Sequence, residues 1–275
     1  MSIKGEDIRN IAVIGHSGEG KTSVCEAILF NGGSTERLGK VTDGTTVTDY
    51  DEQEIARKMS ISLTPAYTMW DGVKLNLLDV PGFYDFEGEE AEALRAAGGA
   101  LIVTGASGTL TVGAEKAIDK CLKNKIPMVI FINGMDKENA DYAGTVAALK
   151  EKYAGKIAPI QIPLMEGNKM VGYVNALKET CYHFADEAKK QPVPIPEELK
   201  GTLAQMQASL TETAAENDEA LLDKFFGEGE LTKEEIIHGI RKGIYNVNTI
   251  PVMAGSALQN RGIINLMDEI VKYMP

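Results

Sequence analysis

Eight residues near the start of the sequence, GHSGEGKT (Gly15–Thr22), bring a glycine-rich turn, a lysine and a hydroxyl together. The spacing G-x-x-x-x-G-K-[ST], lying between an apolar run and a helix-like stretch, suits the capture of phosphate. Backbone N–H groups across Ser17, Gly18, Glu19, Gly20, Lys21, Thr22 and Ser23 can converge on phosphate oxygens, where a helix N-terminus favours negative charge. Lys21 would reach the β- and γ-phosphates of a nucleotide, and the Thr22 hydroxyl would ligate Mg2+. A purely structural glycine turn is the alternative, and its flanking elements argue against it.

A second group lies at LLDVPGFYDFEGE (Leu77–Glu89). Asp79 ends an apolar strand and is placed to hold Mg2+ directly or through water. Taken alone, a strand-terminal aspartate is often only a cap. Here Pro81 and Gly82 follow, so the Gly82 amide can face a γ-phosphate, and Phe83 stands where a polar side chain would help water attack. Further on, FINGMD ends another strand with Asn133 and Asp136. A carboxylate at Asp136 can accept two hydrogen bonds from guanine N1–H and N2–H2, a donor pair that adenine lacks. Ser256, Ala257 and Leu258 of GSAL, after the last strand-like run, are candidate amide donors to guanine O6. An ATP-using P-loop enzyme is the weaker alternative on these grounds.

The elements that must carry these residues alternate. NIAVIG reads as a strand and KTSVCEAILFNGG as a helix closed by a glycine pair. Residues 34–60 are polar and irregular, and so long a connection is usually functional or mobile. If they form a switch, they should stay poorly ordered until a γ-phosphate holds them. Two strand-like runs then flank Asp71-Gly72, a strong hairpin signal. GGALIVTGA (strand), VGAEKAIDKCLKNK (helix), IPMVIFIN (strand) and NADYAGTVAALKEKYAG (helix) complete the series. The alternation predicts an α/β fold: a mostly parallel sheet, helices on both faces, and one antiparallel hairpin at an edge. After about Pro159 the character changes. A proline-rich segment, KKQPVPIPEELKG, leads into acidic amphipathic helices, with a capping box expected at Thr232–Glu235. Strand and helix patterns resume at TIPVMAGSAL and GIINLMDEIVKYM. The expected organisation is a core of residues 1–158 and 250–275 with an inserted α+β subdomain over 159–249.

Composition sets limits. The 275 residues carry a formal net charge of −12, which opposes direct nucleic-acid binding through bulk electrostatics. Three scattered cysteines (Cys25, Cys121, Cys181) suggest reduced core thiols rather than a disulfide framework or zinc site. No signal-peptide pattern and no run of ~20 apolar residues is visible, so the expectation is a cytoplasmic chain with no membrane partner.

In GHSGEGKTS, RLGKVTDGTTVTDYDEQEIARKMSI, LLDVPGFYDFEGE, GMDKENADY, PVMAGSAL and the terminal YMP, the sequence resembles the first, GTPase domain of translation elongation factor G and its paralogues. The resemblance implies a P-loop GTPase fold that binds GTP and GDP with Mg2+, hydrolyses GTP, and serves the ribosome as part of a monomeric factor. It also implies further domains, so the chain is expected to be a fragment. Lys21 and Gly82 are then the residues expected to act on the γ-phosphate, and Thr22, Ser60 and Asp79 those expected around the metal. Ser60 falls on the family's switch I threonine. Three positions depart from the family: Gly18 for a common P-loop aspartate, Gly134 for the lysine of N-K-x-D, and Phe83 for the histidine that orients water. The last departure predicts slow hydrolysis. It leaves a second reading, a GTP-binding regulatory or protective switch on the ribosome that barely hydrolyses.

Overall fold

A computed structural model describes residues 3–167, 169–187 and 191–275. The chain opens with β1 (Ile8–Ile14), the P-loop and α1 (Lys21–Asn31), and continues through α2 (Glu52–Arg57) to the hairpin of β2 (Thr64–Trp70) and β3 (Val73–Asp79). Trp70 pairs with Val73 across the two-residue turn, and Asp71 and Gly72 both have positive φ (47° and 81°), the geometry that matches the twist of antiparallel strands. There follow α3 (Glu87–Ala96), β4 (Gly99–Gly105), α4 (Val112–Asn124), β5 (Met128–Asn133), α5 (Tyr142–Lys152) and the short β6 (Ile157–Pro159).

The chain then leaves the main sheet. It forms β7 (Gln161–Glu166), β8 (Lys169–Asn175) and β9 (Thr180–His183), then α6 (Phe184–Glu187), α7 (Glu197–Glu216), α8 (Glu219–Glu228) and α9 (Lys233–Tyr245). It returns as β10 (Ile250–Ala254) and ends with α10 (Ile263–Tyr273). The main sheet has seven strands in the order β2-β3-β1-β4-β5-β10-β6. Only β2 runs antiparallel. The predicted mostly parallel α/β sheet is therefore present, as is the antiparallel edge hairpin. β7, β8 and β9 make a separate antiparallel meander. Lys189 and Lys190 of the proline-rich segment lie outside the described residues; beyond them the Val193 N–H donates to the Cys181 carbonyl.

Burial follows from the sheet's two covered faces. Ile11 to Ile14 of β1 have no exposure, as a parallel strand packed on both sides requires. Val24, Ile28, Leu75, Leu101, Phe131, Leu266 and Ile270 pack on the face carrying α1 and α10, and that cluster continues into Val174, Leu203, Leu210 and Ile240 of the inserted segment. Ala12, Ile14, Ala93, Ile102, Ile118, Ile130 and Leu149 pack on the face carrying α3, α4 and α5. The three cysteines are free and buried. Among the described residues no helix is long and apolar enough to cross a membrane.

Residues 34–60 are mostly irregular, as expected, with a short 3-10 turn (Val41–Asp43) and α2 as their regular pieces, and polar contacts anchor them. The Glu26 carboxylate of α1 accepts from the Val47 N–H at 2.5 Å, and α2 carries a capping box of Asp51 and Glu54. Glu54, almost fully buried, also accepts from the Ile61 and Ser62 N–H groups at 2.9 and 3.1 Å. The anchors are carboxylates taking up backbone donors, so no apolar period betrays the order in the sequence.

Candidate functional site

The P-loop, β3, β5 and β10 all deliver their following turns to the carboxyl end of the parallel strands, where open α/β sheets bind ligands. A cavity of about 320 Å3 lies there, walled by P-loop residues Ser17, Gly18 and Gly20 to Ser23, by Asp49 and Arg57 to Ser60 of the 34–60 segment, and by Gly82 and Phe83.

Gly20 precedes α1 with φ at 90°, and a Cβ there would come within 2.4 Å of the Asn133 side-chain nitrogen. Glycine is thus needed for both the backbone turn and the close approach. Lys21 is nearly buried, and its ammonium donates to the His16 carbonyl at 3.0 Å. Burial lowers its pKa, while Asp79 pulls it the other way.

The Thr22 and Ser60 hydroxyls stand 3.0 Å apart. Beside them Thr48 donates to Asp79 at 2.7 Å. Asp79 is fully buried with one carboxylate oxygen unpartnered, and burial pushes its pKa up to about 6, against the pull of the Thr48 and Thr22 hydroxyls and Lys21. Asp49 is 4% exposed; the Ser60 hydroxyl stands beside it, and neither carboxylate oxygen makes a hydrogen bond of good geometry. Buried carboxylates without partners are costly. Hydroxyl and carboxylate oxygens are also the donors a hard divalent cation takes. The residues therefore fit Mg2+. Among the described residues no cage of three or more His, Cys, Asp or Glu side chains forms, so a cation here would be held by hydroxyls as well as carboxylates. Sequence reasoning found Thr22, Ser60 and Asp79 but missed Thr48, Asp49, Glu26 and Glu54. For Thr48, Asp49 and Glu54 the stretch TVTDYDEQE carried the signal, being acidic and hydroxyl-rich; Glu26, in the first turns of α1, carried none.

Gly82 approaches the P-loop closely enough that a Cβ would lie 2.2 Å from the Lys21 ammonium and 2.7 Å from the Ser17 nitrogen. Its backbone can therefore face the same ligand atom as Lys21. Phe83 lines the cavity and is 41% exposed. Tyr84 turns elsewhere: its ring lies 6.2 Å from that of His16 and beneath the Lys116 ammonium, 4.1 Å from the centroid.

Asn133 ties two loops together. Its side-chain nitrogen donates to the Glu19 carbonyl and its oxygen accepts from the Ala257 N–H, both at 2.9 Å. Asp136 is half-buried beside Ser256 and Arg261, and none of the hydrogen bonds among the described residues uses its carboxylate. The Ser256 N–H donates to the Arg261 carbonyl at 3.0 Å, so with Ala257 also engaged, Leu258 carries the free amide of the three. Gly134 has φ at 83°, and the Lys137 side chain passes 3.2 Å from where a Cβ would be. The structure thus gathers Ser17, Gly18, Gly20, Lys21, Thr22, Ser23, Ser60 and Gly82 in the walls of one cavity with Asp79 beside them. Asn133 links them through Glu19 to Ala257, while Asp136, Ser256 and Leu258 lie outside those walls.

The profile of a family described as "Elongation factor Tu GTP binding domain" matches residues 6–275. A crystallised protein from Thermus thermophilus is similar in structure, with a TM-score of 0.92 and 30% sequence identity over 98% of this chain. The match covers 41% of that protein's length. With a P-loop, the Thr22 and Ser60 hydroxyls opposed beside it and the match along nearly its whole length, the chain belongs to the elongation factor Tu GTP binding domain family, the GTP-binding domains of translation-factor type.

Proposed function

We propose that this is the GTPase domain of an elongation factor G-like protein that acts on the ribosome in the cytoplasm. The observation that carries the proposal is the meeting of Lys21, Thr22, Ser60 and Gly82 around one cavity beside buried Asp79, with the unclaimed carboxylate of Asp136 at the neighbouring loop. We assign the nucleotide-binding core to residues 1–158 and 250–275 and treat 159–249 as its insertion.

In this reading the P-loop amides and Lys21 hold the β- and γ-phosphates, and the Gly82 amide donates to a γ-phosphate oxygen. Thr22, Ser60 and Asp79 hold Mg2+, which when bound supplies charge neutralisation to the phosphates. Asp136 accepts from guanine N1–H and N2–H2, and Leu258 donates to O6. Asn133 keeps the phosphate and base loops in register. Oriented donors fixed before the reaction stabilise charge without reorganising.

Water orientation is the missing part. Phe83 offers only an apolar edge to the cavity, and Tyr84 packs against His16 and Lys116. That observation favours a second reading, a ribosome-associated binding switch that hydrolyses GTP slowly. Single-turnover GTP hydrolysis with and without ribosomes tests both. Ribosome-stimulated phosphate release supports the factor GTPase, tight GTP binding with negligible release in both conditions supports the switch, and ATP turnover preferred over GTP contradicts both.

A further inference from the structure

The cavity has a second source of positive charge that the P-loop motif does not supply. Lys58 follows α2 with φ at 56°, a left-handed backbone conformation in which a lysine is uncommon. It closes the helix by donating its backbone N–H to the Glu54 and Ile55 carbonyls, and it lines the same cavity as Ser17, Gly18 and Lys21. Its ammonium has no hydrogen bond or ion pair among the described residues. Arg57 lines the cavity beside it. Three cationic residues thus wall one cavity in a chain of net charge −12.

Both Lys58 and Arg57 are exposed, so their long side chains are free to follow the cavity wall they line. The turn that carries Lys58 is fixed, because Glu54 binds the Ile61 and Ser62 amides just beyond it and Ser60 stands 3.0 Å from Thr22. A long cation without a partner among the described residues, on a pinned turn that shares a cavity with the phosphate-binding loop, is within reach of a terminal phosphate bound there.

We propose that Lys58 is a second phosphate-binding lysine, which crosses the cavity from the end of α2 and pairs with the γ-phosphate of a bound nucleoside triphosphate. Lys21 holds the phosphates from the P-loop side, and Lys58 neutralises the outer oxygens from the side of the 34–60 segment. A diphosphate has no such oxygens, so Lys58 discriminates triphosphate from diphosphate and couples the position of residues 34–60 to the γ-phosphate. The proposal rests on the guanine-nucleotide reading above.

The test is equilibrium binding of GDP and of a non-hydrolysable GTP analogue, each with Mg2+, to the unaltered chain and to Lys58→Ala, Lys58→Gly and Lys58→Arg. Loss of one charge-assisted contact should weaken the triphosphate analogue on the order of tenfold in Lys58→Ala while GDP stays within about twofold. Lys58→Arg should retain most of the preference, and ammonium ion should restore part of it to Lys58→Ala by entering the vacated space. Lys58→Gly relieves the left-handed backbone, so a triphosphate loss there with an unchanged or raised melting temperature excludes misfolding as its cause. Equal weakening of both nucleotides, or no weakening of either, overturns the proposal and leaves the guanine-nucleotide reading standing. Failure of the unaltered chain to bind either nucleotide overturns that reading and this proposal with it.

Discussion

Two side chains set how selective and how fast the proposed site would be. In that proposal Asp136 offers its carboxylate to guanine, so Asp136→Asn should weaken GTP and GDP binding on the order of 10²-fold, each hydrogen bond to a charged group contributing about 1.5–3 kcal/mol. An amide donor complements the carbonyl of xanthine, so the same variant should gain affinity for xanthosine diphosphate; competition binding reads both changes. Phe83 lines the cavity with no hydrogen-bonding atom, and Phe83→His should raise GTP hydrolysis. A positioned polar group typically contributes ~10²–10⁴ in rate. The expected gain is about tenfold, because the surrounding turn is built around Phe, and on the proposed function it should be largest with ribosomes present. Phosphate release by both proteins, with and without ribosomes, measures it. These residues were legible in the sequence because each stands at a fixed offset from a motif. Thr48 and Asp49 stand at no such offset, and only the folded segment reveals that they face Asp79 and the P-loop.

At the scale of elements, the segment from Ser34 to Ser60 is held by buried carboxylates from α1 and α2. Glu54 accepts from Ile61, Ser62 and Asp51 amides. Glu54→Ala should therefore free the turn that presents Lys58 and Ser60. Amide exchange at Ile61 and Ser62 should rise by at least tenfold while exchange in β1 and β4 stays unchanged; equal protection in the variant would mean that other contacts hold the turn. Gly82→Ala tests the opposite wall. A methyl group would press on Lys21 and the Ser17 backbone, so GTP hydrolysis should fall on the order of 10²-fold while GDP affinity changes little, as comparison of turnover and binding would show. Periodicity found the elements that bury an apolar face, including α4, β5 and α10. It did not find α3, whose buried residues are only Ala93 and Leu94 beneath an acidic first turn. Nor did it resolve the meander β7–β9, where glycine and polar residues interrupt the strands. The capping box of Thr232 and Glu235 was readable and is present, since both of its hydrogen bonds are local.

In the molecule as a whole, the inserted segment and the core share one apolar cluster and a buried polar link. Asn175 of β8 donates to Glu269 of α10 at 3.0 Å, and Lys178 pairs with the same carboxylate at 2.8 Å. Glu269→Ala leaves the Lys178 ammonium and the Asn175 amide without that partner, at a cost of about 1–3 kcal/mol given that Lys178 keeps some contact with water. A single lowered melting transition is expected; two separate transitions would show that the insertion folds independently of the core. On the proposed function, P-loop, cation oxygens and base-reading loop form one guanine-nucleotide site. Titration of the unaltered chain with GDP, GTP and ATP in the presence of Mg2+ tests it most directly. Saturable binding of both guanine nucleotides at one site per chain is expected, with ATP weaker by on the order of 10² or more because adenine cannot supply the donor pair that Asp136 would accept. Binding of ATP as tight as that of GTP would contradict it.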